Sequence, residues 1–303
     1  MLTPQRALRR GVTLIELIVA MAVGGVVLAL VAAISVRQQR IYADVADRSA
    51  LAAQLRQAAT ILPIDLRALS PAAGDIREAR DTSIELRATI ASAVACDTLA
   101  GALVLAPSVT GETTFGSYVT PVAAGDTAWT LAPNDSGDVW LAYAIESVAS
   151  GGASDCAPIG PRLSASERTA NRVAIRLVGS PPLTNLLGAP LRVTRLVRYS
   201  LYRGGDGRWY LGQRDWNTAS LRFNTIQPVS GPFSSPASRG VLFQYSDSAG
   251  VLLPSPVADS RAVTLVRIEL RGQSQNAMRA FAAGSQGKSS DSLRLAVAVR
   301  NRR

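Results

Sequence analysis

A single carboxylate, Glu16, stands inside the otherwise apolar stretch RRGVTLIELIVAMAVGGVVLALVAAISV, Arg9 to Val36. Within a bilayer such a group costs up to about 3 kcal/mol, less near the interface where it can snorkel, and simple anchoring does not repay that cost. The chain has no histidine, which removes Ser-His-Asp and Cys-His catalysis, His-ligated zinc and the two-His-one-carboxylate iron site. Its two cysteines, Cys96 and Cys156, are too few for a zinc or iron–sulfur cluster. In an oxidising compartment such a pair forms a disulfide, worth up to about 4 kcal/mol for a long loop; in the cytoplasm it reads as two buried thiols. NDSGD, Asn134 to Asp138, gathers oxygen ligands around a glycine but lacks the later Glu of a calcium loop, so a turn is expected, with calcium the one candidate cofactor. GGDG, Gly204 to Gly207, has no Walker lysine and reads as a hairpin tip. Asp65 and Arg67 could cap, pair locally or meet another subunit, and the basic end at Asn301 to Arg303 reads as a solvated strand terminus. No catalytic constellation remains, and a nonenzymatic protein is expected.

The elements that position these groups begin with the apolar run. Leu17 to Val36 is twenty residues without a charge, with Ser35 its only hydroxyl. At about 1.5 Å per residue it spans the roughly 30 Å hydrocarbon core of a bilayer. It is too long for the apolar region of a secretory signal peptide, and Glu16 would break one. A plain anchor fits the length and leaves the carboxylate unexplained. Flanking charge does not set orientation, because Arg6, Arg9 and Arg10 on one side face Arg37, Arg40 and Arg48 on the other. The formal charge of +10 falls to +7 without the three leading arginines, 29 basic against 22 acidic residues. This excess is spread along the chain and nearly all arginine, so nucleic-acid binding is not the primary expectation.

RRGVTLIELIVAM resembles the leader and first residues of type IV prepilins and type II secretion pseudopilins: a short basic leader, a glycine, then a start such as GFTLIEL. Val12 stands where that family more often has Phe. The resemblance implies that prepilin peptidase cuts between Gly11 and Val12 and that the new amino terminus at Val12 is N-methylated. It also implies that Glu16, the fifth mature residue, serves assembly. The physical rationale is that Glu16 of one subunit meets the amine at Val12 of a neighbour, which relieves both charges and fixes axial register.

After Val36 apolar residues continue at Ile41, Val45, Ala52, Leu55, Ala59 and Leu62, while Arg40, Asp44, Asp47, Arg48, Gln54 and Arg56 fall elsewhere, as on an amphipathic helix. Pro63 is expected to kink or end it. From Val12 to Leu62 such a helix is about 75 Å long. Gly24 and Gly25 weaken its membrane half. Period-two alternation follows in SIELRATI and RVAIRLV. RLVRYSLYRGGDGRWYLGQR and GVLFQYSDSAGVLL read as hairpins, and AVTLVRIELRG and SLRLAVAVRNR complete an antiparallel set. Thr98 to Pro161 reads as an elaborated loop region with short strands of its own, tied down by Cys96 and Cys156.

The expectation is an α+β, pilin-like fold: leader 1–11, transmembrane half-helix 12–36, amphipathic half 37–62 and a β-rich domain over 63–303. LPIDLRALSPAAGDI, VRYSLYR, LFQYSDSAG and the closing VAVRNR are similar to the minor pilins of the PilW class and the related GspJ-type pseudopilins. This implies a minor subunit for pilus initiation or the tip, with a type II secretion pseudopilin or a pilus-borne subunit for DNA uptake or adhesion as alternatives. The implied partners are prepilin peptidase, other minor and major pilins or pseudopilins, and the inner membrane. The implied location is a single inner-membrane pass with the C-terminal domain in the periplasm, then the pilus or pseudopilus.

Overall fold

The computed structural model describes residues 13–109, 115–134, 137–152, 156–179, 181–277 and 288–299. Helix α1 runs unbroken over Leu14–Arg67, 54 residues. Its first half is carried by the apolar run Leu17 to Val36, its second by the spacing of buried Leu51, Leu55, Ala58, Leu62 and Leu66. The buried stripe therefore starts later than expected: Val45 is 54% exposed. The helix also passes through Pro63 instead of stopping at Leu62. Proline there removes one hydrogen bond, to the carbonyl of Ala59, and only one further turn follows. Leu62, Leu66 and Leu69, 0–1% exposed, hold that turn by packing. Bonds from Ala68 N to the Asp65 carbonyl and from Leu69 N to the Leu66 carbonyl, 3.2 and 3.3 Å, tighten its end.

The chain divides into two compact units, Met1–Ala52 with Ser274–Ser290, and Ala53–Gln273 with Asp291–Arg303. Within the described residues of the first, α1 carries the apolar run. The second holds the last turns of α1 and most of the β structure.

In chain order the strands are β1 (Ile76–Ala79), β2 (Ser83–Leu99), β3 (Ala102–Leu105), β4 (Gly116–Tyr118), β5 (Thr127–Asn134), β6 (Gly137–Gly152), β7 (Arg172–Leu177) and β8 (Pro190–Arg203). They continue with β9 (Trp209–Asn217), β10 (Arg222–Phe223), β11 (Gln227–Phe233), β12 (Val241–Ser246), β13 (Leu252–Leu253), β14 (Leu265–Ala277) and β15 (Lys288–Ala298). The hairpin expected around Gly204 to Gly207 joins β8 to β9, with Arg203 opposite Trp209, and the one near Asp247 to Gly250 joins β12 to β13. Gly207, at φ +78°, closes the first tip through a 3.0 Å bond from its N–H to the Gly204 carbonyl.

Six of these strands close on themselves. β2 pairs with β3, β3 with β7, β7 with β6, β6 with β5, β5 with β8, and β8 again with β2, antiparallel throughout. The interior is one apolar cluster drawn from all six, including Ile90, Leu103, Leu105, Ile145, Ile175, Leu177, Leu191 and Val193. Small side chains at Ala91, Ala93, Ala95 and Ala128 let so narrow a ring close, and closure removes the free edges that its members would otherwise expose. Thr98 to Pro161 is thus not mainly loop. It contributes β3 to β6, including a hairpin whose second strand, Gly137–Gly152, is 16 residues long. Alternation does not mark that strand, because Val139 to Ile145 is a continuous apolar run.

β2 and β8 are long enough to leave the ring. Beyond it β2 pairs with β1, and β8 continues into β9, β11, β14, β12 and β13 as an open antiparallel sheet. The last turns of α1 pack on this part: the Tyr199 hydroxyl of β8 donates to Asp65 and the Ser230 hydroxyl of β11 to the carbonyl of Gln54, at 2.6 and 2.7 Å. The fold is α+β, a long N-terminal helix packed on an antiparallel β domain.

Candidate functional site

The N-terminal site is built on the first turn of α1. Thr13 precedes the helix; its carbonyl accepts the first helical bond, from Leu17 N at 3.2 Å, and its hydroxyl accepts from the N–H of Glu16 at 3.3 Å. Thr13 is therefore the N-cap and Glu16 the third helical residue, the spacing of a capping box. A carboxylate at this position also faces the positive end of the helix dipole. Glu16 thus has a local reason for its place as well as any pairing with a neighbour. The Thr-x-x-Glu signature was legible in the sequence, and Thr13 is the functional residue that the reading of charges alone passes over. Gly11 and Val12 lie outside the described residues.

From this cap the apolar run is exposed along its whole length: Ile15, Met21 and Leu28 are each 71% exposed. In water that much uncovered leucine, valine and isoleucine would be costly, at roughly 25 cal/mol per Å². The helix is long and apolar enough to cross a membrane. At Gly24 and Gly25 an added Cβ would meet nothing within 4 Å, so these positions offer open approach to another helix.

The other singled-out residues are far apart in role. Cys96, at the shift in register between β2 and β3, and Cys156 are joined in a disulfide across 60 residues of sequence. The pair is buried in a small cluster with Val104, Ala106, Ile159, Leu163 and Ala174. The Asp65 side chain accepts from Tyr199, and burial, only partly offset by that bond and reinforced by Asp215, raises its pKa. In NDSGD, Asn134 is the register partner of Gly137 at the β5–β6 turn, while Asp135 and Ser136 lie outside the described residues, so the calcium expectation rests on sequence. Asn301 to Arg303 also lie outside them.

A basic leader, a capped Thr-x-x-Glu start and an exposed membrane-length helix thus form one continuous segment. Residues 6–32 match the prokaryotic N-terminal methylation motif. The methylation motif covers Gly11, Val12, Thr13 and Glu16 together and ends within the apolar run. It supports a type IV pilin-like or pseudopilin protein, a structural subunit, and implies processing by prepilin peptidase and assembly with other pilins. No curated protein and no solved structure gave a match.

Proposed function

We propose that the chain is a minor pilin-like subunit that enters a type IV pilus at its tip or within the complex that primes it. The observation behind this reading is the continuity of the methylation motif with a single 54-residue helix that is exposed where it is apolar and buried where it meets the β domain. Prepilin peptidase cuts after Gly11, and the amine of Val12 is methylated. The inner membrane then holds the apolar half-helix, with the β domain on the periplasmic side. The Cys96–Cys156 disulfide supports that side, because disulfides persist in oxidising compartments. On assembly the helix leaves lipid for a bundle of like helices, where Glu16 of one subunit meets the Val12 amine of the next.

Intact-mass and N-terminal mass spectrometry of the membrane-extracted protein tests the first step. The expected product starts at a methylated Val12. Retention of residues 1–11 in a strain with active prepilin peptidase would sink the reading.

A further inference from the structure

A cleft of about 650 Å³ opens in the β domain where the closed ring meets the open sheet. β2 occupies one edge of β8 from Pro190 to Ser200. The other edge is shared: β5 pairs with Leu191 to Thr194 and β9 with Val197 to Arg203, so neither strand pairs with Arg195 or Leu196. The two neighbours diverge at that gap. Thr218, just past β9, donates to the carbonyl of Ala124 at 2.8 Å and packs onto Gly125, whose φ of +84° and lack of a Cβ permit the approach. The fork is thereby pinned across its mouth and left hollow behind.

Two cations are placed in the hollow. The pairing of β1 with β2 shifts between Ile76 and Glu78, which makes Arg77 the extra residue of a β-bulge and turns it into the cleft. Arg87, on β2, is half-buried there and donates to the Thr127 hydroxyl at 3.0 Å. The arginines around them are neutralised: Arg192 by Asp75, Arg195 by a two-point pairing with Asp126, and Arg198 by Glu85. Among the described residues no carboxylate comes within ion-pairing distance of Arg77 or Arg87. Burial lowers the pKa of Arg87, and the nearby charges of Arg77 and Arg192 lower it further against the opposing pull of Asp75. Holding these cations together is unfavourable in the empty protein and becomes favourable around an anion.

The rest of the lining narrows the anion. Of the carboxylates that share the cleft, Glu85 and Asp126 are held by Arg198 and Arg195, which leaves Asp215 against Arg77 and Arg87, a net charge that suits one anionic group and not the run of phosphates of a nucleic-acid backbone. Asp215 and Asn224 line the cleft, where each accepts one side-chain bond, from Gln213 and Asn217, and keeps further polar atoms for hydroxyls; Trp216 lines it too, and the volume suits a sugar or two. We propose that the fork cleft binds a carboxylated saccharide, with Arg77 and Arg87 taking its carboxylate and Asp215 and Asn224 its ring hydroxyls.

Calorimetric titration of the full-length protein in detergent micelles with digalacturonate tests this, with neutral digalactose and a short oligothymidylate as the other arms. Saturable binding of digalacturonate is expected, with digalactose weaker by at least about tenfold, the value of one charge-assisted pair. Arg77→Ala should weaken binding by a similar factor of about ten without lowering the melting temperature, since Arg77 is exposed and its charge repels Arg87. Arg87→Gln, which can still donate to Thr127, should do the same. Absence of saturable binding, equal binding of digalactose, indifference to both substitutions, or tighter binding of the oligothymidylate through the same two arginines would each overturn the assignment.

Discussion

The hydroxyl of Tyr199 donates a 2.6 Å hydrogen bond to the carboxylate of Asp65, fastening the last turn of α1 to the open-sheet end of β8. Asp65 lies far past the Leu17–Val36 run, in the packed junction of helix and sheet, and burial raises its pKa. The folded state therefore binds the proton more tightly than the unfolded chain does. Ionisation costs stability, starting as pH rises through the ordinary carboxylate value of 3.8 and complete above the higher folded pKa. Asp65→Asn keeps an acceptor for Tyr199 and cannot ionise. Urea titrations should show it more stable than the wild type at pH 7, with the difference vanishing as pH falls below 3.8. Asp65→Ala should instead lose about 1 kcal/mol at every pH, because it removes the short acceptor of a buried hydroxyl and leaves it only the 3.4 Å bond to Gln213.

The Cys96–Cys156 bond ties β2 to the chain that leads into β7, closing a loop of 60 residues. Replacing both cysteines with serine should lower unfolding free energy by about 4 kcal/mol in the chain-entropy account. Chemical denaturation of the two proteins measures this. Free thiols in the membrane-extracted protein would contradict the pairing.

Asp75 is fully buried at the exit of α1, where it accepts from Ser70 N and twice from Arg192, whose other amino group donates to the carbonyl of Ala68. Asp75→Asn should cost about 3 kcal/mol, since it leaves a largely buried guanidinium without its anion. Arg192→Met in that background should cost less than it does alone, and a double-mutant cycle should return a coupling of at least about 1 kcal/mol.

At the N terminus the cap and the charge separate by mutation. Thr13→Val should weaken the first turn by about 1 kcal/mol, seen as faster amide exchange near Glu16, while leaving the carboxylate in place. Glu16→Ala should allow cleavage and abolish filament incorporation, scored by immunoblotting of sheared filaments. Normal incorporation of Glu16→Ala would remove charge pairing from the assembly mechanism.

Much of this protein was legible as local pattern. The methylation motif and the apolar helix are carried by contiguous residues, so composition and spacing report them directly. The hairpins at Gly204–Gly207 and Asp247–Gly250 are likewise local, set by glycines between alternating strands. Pro63 reads locally as a kink or a stop, and the helix continues past it because its penalty is one lost bond, offset by burial of Leu62, Leu66 and Leu69 against residues distant in sequence. The ring was invisible for the same reason. β2 is joined to β8 by pairing across about a hundred residues, and β6 owes its strand conformation to neighbours on both sides and not to alternation. Arg77 and Arg87, unremarkable in a chain rich in arginine, become a pair only because a bulge and a fork in the sheet bring them to one hollow. Sequence alone determined which segment is long and apolar enough to cross a membrane and how that segment begins, since each depends on a short run of residues. Tertiary structure alone decided which charges are neutralised and which are left facing space, because that depends on strand register over long separations.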